Sequence, residues 1–196
     1  KFEGSDFCDI LKMSHSKYEY VRTYEKDDRI LNNVYLIVRI DGRNFHHFTK
    51  LHHFNKPNDI NGINLMNCAA EFVMRELSGD IILSYGHSDE YSFIFHPKFT
   101  LFKRRQEKIV STIVSTFTAA YNYSWSQYFP NNSLQYPATF DGRAVLYATD
   151  QEVKDYLSWR QVDCHINNLY NTCFWKLVLE KSYTNKQAEE YLNGTV

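Results

Sequence analysis

The feature that most constrains the fold is an apolar run at residues 34–40, which stops abruptly at Asp41. The run is short, rich in β-branched residues and apolar almost throughout, rather than alternating apolar and polar positions. Such a pattern is typical of a strand in the middle of a sheet, because both of its faces are covered. The sequence therefore predicts a central strand that ends at a carboxylate, with Gly42 and Arg43 directly behind it.

Further segments along the chain give the order of the predicted elements. Apolar residues at helical spacing predict two long helices, at 58–77 and 102–125. The remaining predicted strands lie at 81–85, 91–95 and 141–147, with a turn at 86–89. Shorter helices are predicted at 18–25, 150–157, about 163–179 and 184–192.

The order strand, helix, strand, strand, helix, strand is the β-α-β-β-α-β pattern of a ferredoxin-like fold in the α+β class. The additional helices follow it at the C-terminal side. In such a fold two helices cover one face of an antiparallel sheet. We expect the other face to be free for a ligand or a partner.

Composition limits the classes of protein that fit. A length of 196 residues favours one domain, and 43% hydrophobic residues exclude a disordered chain. A net charge of −1 means that a nucleic acid would have to be held by a local basic patch. The four cysteines form no CxxC motif, which favours reduced thiols in an intracellular protein, most simply a cytoplasmic one, with a nuclear or mitochondrial pool left open. No apolar run is long enough to predict a membrane span.

Two predicted strand ends bring carboxylates together. Asp41 ends the first strand, and Asp89 and Glu90 lie at the tip of the hairpin predicted beside it. Two carboxylates about 4 Å apart repel by roughly 4 kcal/mol at an effective dielectric of 20, so the pair needs a proton or a cation. Oxygen ligands, including a strand-end carbonyl, favour Mg²⁺, and Gly42 allows a close approach of the backbone.

This arrangement suits two-metal phosphoryl transfer, with backbone amides at 42–45 cradling a triphosphate. Turn carboxylates in solvent are an equally open interpretation. A second signal is the basic start of the helix at 102–125, where positive charge opposes the helix dipole. It indicates either a bound anion or a solvated basic turn, formed by Lys103, Arg104, Arg105 and Lys108.

Several motifs together resemble the eukaryotic tRNA-His guanylyltransferases. They are VRIDGRNFHHF, KPND, YGHSDEYSFIF, FKRR, FDGR and DYLSWRQVDCHINNLYNTCFW. The resemblance runs from about residue 16 to residue 195, and the last of these strings is the most specific. The N-terminal residues 1–13 do not match and are interpreted as an extension or a remnant.

The resemblance implies a polymerase-type palm at 14–149 and a helical tRNA-recognition part at 150–196 that is shorter than in the family. It implies that the 5′-phosphate of tRNA-His is activated with ATP and then attacked by the 3′-hydroxyl of GTP, adding one guanylate. Two Mg²⁺ ions are the implied cofactors, ATP and GTP the substrates, and tRNA-His the partner. A homotetramer is the implied assembly.

The resemblance also implies roles for individual residues. The implied catalytic residues are Asp41, Asp89, Glu90 and Lys56. The implied metal ligands are Asp41, Asp89 and the carbonyl of Gly42. Nucleotide contacts are implied for Asp41, Gly42, Arg43, Asn44, Phe45, His46, Ser88, Asp89, Arg105 and Lys108. Contacts with tRNA are implied for His165, Asn167 and Asn168.

Other functions stay open at this point. A related reverse polymerase could repair truncated 5′ ends, a catalytically silent module could bind RNA, and a cyclase-like enzyme could share the metal motif. Trp159 and Trp175 are interpreted as core residues rather than as stacking platforms for bases. Cys164 lies beside His165, but the family implies no thiol nucleophile there.

Overall fold

The computed structural model describes residues 17–26 and 28–194, so the extension predicted at 1–13 lies outside the described residues. The strands are β1 (Tyr35–Gly42), β2 (Ile81–His87), β3 (Glu90–Phe95) and β4 (Phe140–Tyr147). The α-helices are α1 (Phe45–Leu51), α2 (Ile60–Glu76), α3 (Gln106–Tyr128), α4 (Asp150–Glu180) and α5 (Asn185–Asn193). Short 3₁₀ helices occur at Glu19–Tyr24 and Leu101–Arg104.

The four strands form one antiparallel sheet in the order β2-β3-β1-β4. β1 lies in the interior of this sheet, as its apolar sequence predicts. Its last residues place Asp41 opposite Glu90 on β3 and opposite Asp141 on β4. A four-stranded antiparallel sheet packed with helices confirms the predicted mixture of α and β structure.

One face of the sheet packs against α2 and α3. Alternate residues of β1, namely Leu36, Val38 and Ile40, are fully buried in this layer. They meet residues such as Val73 of α2 and Ile113 of α3, which are also fully buried. Burying an aliphatic side chain contributes about 1.5–3 kcal/mol, so this layer contributes several kcal/mol to holding β1 in place.

The opposite face is partly covered by α4, so the prediction of a free face is wrong there. Ile37 and Ile94 of the sheet form a second buried cluster with Tyr156 of α4. Val153 and Leu157 pack against the same cluster. The first turns of α4 therefore carry an apolar side that closes over the sheet.

α4 is one continuous helix of 31 residues, whereas the sequence predicts two helices with a break at 158–162. No glycine or proline lies in that stretch, so the backbone has no reason to leave the helical conformation. At 1.5 Å per residue the helix is about 46 Å long, and its second half extends beyond the sheet. Its start is fixed by a capping box between Thr149 and Glu152.

The structure also contains α1, which the sequence does not predict as a helix. It follows Asn44, whose φ of 52° places it in the left-handed region, and it buries Phe45 and Phe48. Of the helices in the described part of the chain, none combines the length and apolar character needed to cross a membrane.

Candidate functional site

The end of β1 and the β2–β3 hairpin meet at Asp41 and Asp89. The hairpin loop is only two residues long, because His87 pairs with Glu90 and leaves Ser88 and Asp89 between them. The amide of Gly42 donates to the backbone carbonyl of Asp89 at 3.1 Å. The structure thus brings the carboxylate-bearing loop directly against the residue that follows Asp41.

Gly42 is required by this close approach. A Cβ atom at Gly42 would lie 2.5 Å from a ring carbon of Phe45 and 2.9 Å from Oδ2 of Asp89. Both distances are too short for any side chain. The same contact shows that the carboxylate of Asp89 reaches over the backbone at the end of β1.

Burial is the main cause of a raised pKa at both carboxylates. Burial raises the pKa of Asp41, and the negative charges of Asp89 and Asp141 raise it further. Burial also raises the pKa of Asp89, although the hydroxyl of Ser88 donates to its carboxylate at 2.9 Å. A bound cation would relieve this unfavourable arrangement of negative charge.

Asp141 joins the site through its register with Asp41, and sequence reasoning did not find it. It belongs to a second Asp-Gly-Arg tripeptide at 141–143, whose first copy is at 41–43. The second copy opens β4, as predicted, but β4 pairs antiparallel with β1 and so places the two copies side by side. The repeated tripeptide was the available signal.

The donor set at the end of β1 fits Mg²⁺. No cluster of three or more His, Cys, Asp or Glu side chains able to hold a metal occurs among residues 17–26 and 28–194. Side chains alone therefore do not complete a metal shell here. The carboxylates of Asp41 and Asp89 with the carbonyl of Gly42 are hard oxygen donors, and Mg²⁺ in proteins takes few carboxylates and completes its shell with water and phosphate oxygens.

Of the backbone amides at 42–45 that were predicted to bind a triphosphate, two already donate hydrogen bonds within the fold, so the prediction is wrong for them. The amide of Gly42 donates to Asp89, and the amide of Arg43 donates to the carbonyl of Thr139 at 2.9 Å. Both are already used within the fold. The side chains of Arg43, Asn44 and His46 are exposed, and His46 lines the same cleft as Asp89.

A cleft of about 490 Å³ opens beside the hairpin, which is within the range of small-molecule sites. Its lining combines residues from distant parts of the sequence, including Phe45, His46, Lys56, Ser88, Asp89, Tyr170, Phe174 and Trp175. Lys56 lies beside the aromatic wall, with Nζ 5.7 Å from the ring centre of Trp175. The structure therefore brings the predicted residues Lys56, Ser88 and Asp89 to one cavity, and it adds an aromatic wall from α4 that was not predicted.

Glu90 is directed to a different set of partners. It is only 8% exposed and accepts from Nη1 of Arg160 at 3.2 and 3.3 Å. Arg39 and His87 lie at 3.6 and 3.7 Å from its carboxylate. The contacts of Glu90 are thus with basic side chains beneath the hairpin.

The residues predicted to contact tRNA lie on the exposed part of α4. His165, Asn167 and Asn168 are all exposed. Asn168 accepts from Nδ2 of Asn58 at 2.8 Å, which links α4 to the loop that carries Lys56. Trp159 on the same helix is 54% exposed and Trp175 is half-buried in the wall of the cleft, so the interpretation of both as core residues is wrong.

The basic residues near α3 do not line this cleft. α3 begins at Gln106, so residues 103–105 precede the helix instead of forming its first turn. Arg104 is buried and donates to backbone carbonyls at Ile30, Leu31, Val34, Pro97 and Phe99. Lys108 lies over the ring of Phe102 at 4.8 Å, and Arg105 donates to the carbonyl of the same residue. Arg104 therefore has a structural role, while nucleotide contacts by Arg105 and Lys108 stay a prediction.

Comparison with known proteins gives consistent matches. Residues 18–148 match the family model described as tRNA-His guanylyltransferase, and residues 151–196 match the Thg1 C-terminal domain. The tRNA-His guanylyltransferase of Schizosaccharomyces pombe is 54% identical over 184 residues, covering 94% of this chain and 70% of that protein.

Solved structures agree with these matches. The crystal structure of the Saccharomyces cerevisiae tRNA-His guanylyltransferase superposes with a TM-score of 0.88 at 46% identity, covering 92% of this chain and 80% of that one. A bacterial tRNA-His guanylyltransferase-like protein in complex with GTP gives a TM-score of 0.69 at 28% identity, covering 88% and 78% of the two chains. A bacterial tRNA-His guanylyltransferase-like protein in complex with ATP gives a TM-score of 0.71 at 28% identity, covering 86% of this chain and 78% of that one. This chain therefore belongs to the tRNA-His guanylyltransferase family of nucleotidyltransferases.

Proposed function

We propose that this chain adds a single guanylate to the 5′ end of tRNA-His, using ATP and GTP as substrates. The observation that carries the proposal is the contact of Asp89 with the end of β1 at Asp41 and Gly42, because Asp89 also lines the cleft that contains Lys56. The complexes of the bacterial relative with GTP and with ATP support the choice of nucleotides.

The fold of the catalytic part is proposed to be a ferredoxin-like, polymerase-type palm. The strand order β2-β3-β1-β4 is compatible with the split β-α-β topology, in which the first strand lies in the interior of the sheet. In this interpretation Asp41 and the hairpin loop present their carboxylates at one edge of the sheet. The nucleotide would lie along that edge and extend into the cleft.

Asp41, Asp89 and the carbonyl of Gly42 would hold two Mg²⁺ ions, which supply charge neutralisation at the reacting phosphates. The chain's own groups position the substrates around them. The side chains of Arg43, Asn44 and His46 are exposed, follow Asp41 closely in the sequence and would contact the triphosphate. Ser88 lies in the same loop and holds Asp89 through its hydroxyl.

The proposed reaction has two transfers. In the first, an oxygen of the tRNA 5′-phosphate attacks the α-phosphorus of ATP, pyrophosphate leaves, and an adenylylated 5′ end results. In the second, the 3′-hydroxyl of GTP attacks the activated phosphorus, its proton is released, and AMP leaves. Lys56, in the cleft wall, would stabilise the negative charge that develops on phosphate during activation.

The tRNA contacts are proposed for the exposed half of α4. His165, Asn167 and Asn168 present polar groups there, close to the loop of Lys56. Arg105 and Lys108 are proposed to bind a second triphosphate or the tRNA 5′ end, away from the cleft. A homotetramer is the proposed assembly.

The role of Lys56 can be tested by changing the leaving group on the RNA. A tRNA-His that already carries a 5′-triphosphate needs no adenylylation, because pyrophosphate can leave in the guanylate transfer itself. Lys56→Ala should therefore abolish labelling of 5′-monophosphorylated tRNA-His but retain labelling of the 5′-triphosphorylated form. Lys50→Ala, an exposed lysine on α1, is the matched control. Equal loss on both RNAs would contradict the activation role, and no labelling of either RNA by the unsubstituted chain would contradict the proposed function.

A further inference from the structure

One side of α4 carries a row of polar side chains that face the sheet and the hairpin. Tyr156, Arg160, Asp163, Cys164 and Asn168 are spaced so that they lie on the same side of a helix. Tyr156 and Ser92 of β3 share a hydrogen bond of 2.6 Å, and Cys164 lies near Tyr85 of β2, whose pKa is raised first by burial and then by this thiol. This row ends at Asn168, within the segment proposed to contact tRNA.

In the middle of the row, Arg160 and Asp163 contact the two residues that flank the hairpin loop Ser88–Asp89, which is called the metal-binding loop below because it carries the proposed ligand Asp89. Nη1 of Arg160 lies 3.2 Å from Glu90, the first residue of β3. Oδ2 of Asp163 lies 3.3 Å from Nε2 of His87, the last residue of β2. Arg160 and Asp163 also contact each other at 3.5 Å. Ser88 and Asp89 are the only residues between these two attachment points.

The charges of this cluster balance, and its centre is sealed from water. Two guanidinium groups, from Arg39 and Arg160, meet two carboxylates, from Glu90 and Asp163. Arg160 and Glu90 are 6% and 8% exposed. In such surroundings breaking one of these ion pairs is strongly unfavourable, so the cluster favours the observed arrangement of the hairpin base, even though Nε of Arg160 and Nδ1 of His87 are buried without a hydrogen-bond partner.

The geometry points to Arg160 and Asp163 as positioning residues for Asp89, so that the helix carrying the tRNA-contacting segment also fixes the metal-binding loop. The inference rests on the proposed function, since it assigns these residues to the same metal and nucleotide site. Neither residue touches the cleft. Both act through His87 and Glu90, which hold the two ends of the loop.

The experiment compares the full chain with Arg160→Lys, Asp163→Asn and the control Lys154→Gln. Arg160→Lys keeps the buried charge but loses the paired contact with Glu90. Asp163→Asn removes the charge of a partly exposed carboxylate, so no buried charged group has to adopt a new position. Lys154 is an exposed cation on the same helix, outside the polar row.

For each variant, GTP affinity is measured by calorimetry with and without Mg²⁺, and the unfolding midpoint is recorded. We expect the Mg²⁺-dependent affinity to fall about tenfold in Arg160→Lys and Asp163→Asn, the size of effect seen when a partner of a metal ligand is removed. GTP affinity without Mg²⁺ and all properties of Lys154→Gln should stay unchanged. A merely structural role would lower the unfolding midpoint without this selective loss.

The outcomes separate the two proposals. Unchanged Mg²⁺-dependent GTP affinity in Asp163→Asn would overturn the inference while leaving the proposed function intact, even if Arg160→Lys failed to fold. Absence of Mg²⁺-dependent GTP binding in the unsubstituted chain would overturn the proposed function and this inference with it.

Discussion

At the scale of single residues, the site is defined by carboxylates that the fold holds in an unfavourable state. Asp41 and Asp89 both have raised pKa values, chiefly because they are buried. Both positions could be predicted from the sequence. Asp41 directly follows the apolar run of the first strand, and Asp89 lies in the turn before the strand at 91–95. Asp141 had only the repeated Asp-Gly-Arg tripeptide as a signal, because the pairing of β4 with β1 brings it near. Arg160 had none, because only the packing of α4 brings it near.

The first prediction concerns Asp89→Asn. We expect nucleotide addition to fall by at least about 10²–10³-fold, the cost of losing one preorganised electrostatic group. The measurement is transfer of labelled guanylate to tRNA-His under saturating Mg²⁺. Retention of full activity would contradict the assignment of Asp89 as a metal ligand.

Asp89→Asn should lower activity but raise the stability of the fold. A carboxyl group whose pKa is raised on folding binds protons more tightly in the folded state, so stability falls as pH rises from the unfolded to the folded pKa. Without Mg²⁺, Asp89→Asn should therefore raise the unfolding midpoint near neutral pH, by an amount on the order of 2–4 °C for each kcal/mol gained. The gain should vanish in acid, where the carboxyl is protonated in both states, and a gain that persisted there would contradict the electrostatic explanation.

Arg104 provides a second prediction at this scale. Its buried guanidinium donates to five backbone carbonyls around the entry to β1 and the end of β3, and its ring partner Phe99 lies 3.8 Å away. Arg104→Met would leave buried carbonyls unsatisfied and should lower the free energy of unfolding by about 2–4 kcal/mol. Urea denaturation measures this, with the exposed neighbour Arg105→Met as the control. Equal, small effects of the two substitutions would contradict the structural role of Arg104.

At the scale of elements, α4 packs the C-terminal part of the chain, matched at 151–196, against the part matched at 18–148. Its first half packs on the sheet through Tyr156, and its second half supplies the aromatic wall of the cleft. The strands were predictable because their apolar runs are bounded by clear turn residues. α1 was not, because only Phe45 and Phe48 are buried in its seven residues and the surrounding sequence is polar. The break predicted within α4 coincides with the end of the residues that pack on the sheet, such as Tyr156 and Leu157, while the backbone stays helical.

The N-terminal cap of α4 yields a prediction for this element. The hydroxyl of Thr149 accepts from the amide of Glu152, and the carboxylate of Glu152 accepts from the amide of Thr149. Thr149→Ala should therefore lower the free energy of unfolding by about 1 kcal/mol. Thr184→Ala removes the same kind of cap from α5, a nine-residue helix at the end of the described chain.

Because α5 is short and lies at the end of the described chain, we expect it to open locally, so Thr184→Ala should mainly increase amide exchange within α5 and affect global unfolding less. Denaturation curves and hydrogen exchange on both variants give the comparison. A larger loss of global stability in Thr184→Ala than in Thr149→Ala would show that α5, and not α4, anchors the C-terminal part.

At the scale of the whole molecule, the cleft is built from both matched segments. Residues 18–148 supply Asp89 and Lys56, and residues 151–196 supply Tyr170, Phe174 and Trp175. The order of strands and long helices was predictable from hydrophobic periodicity, but the cleft was not, because it depends on how far α4 extends past the sheet. Nucleotide chemistry and tRNA contacts are thus expected to depend on one another.

The most direct test of the central claim is guanylate transfer by the full chain. The chain is incubated with Mg²⁺, ATP, labelled GTP and 5′-monophosphorylated tRNA-His, beside a tRNA for another amino acid and a tRNA-His shortened at its 5′ end. We expect one labelled guanylate on intact tRNA-His and none on the other intact tRNA. Labelling confined to the shortened tRNA would favour end repair instead, and no labelling of any tRNA by the folded chain would contradict the proposed activity.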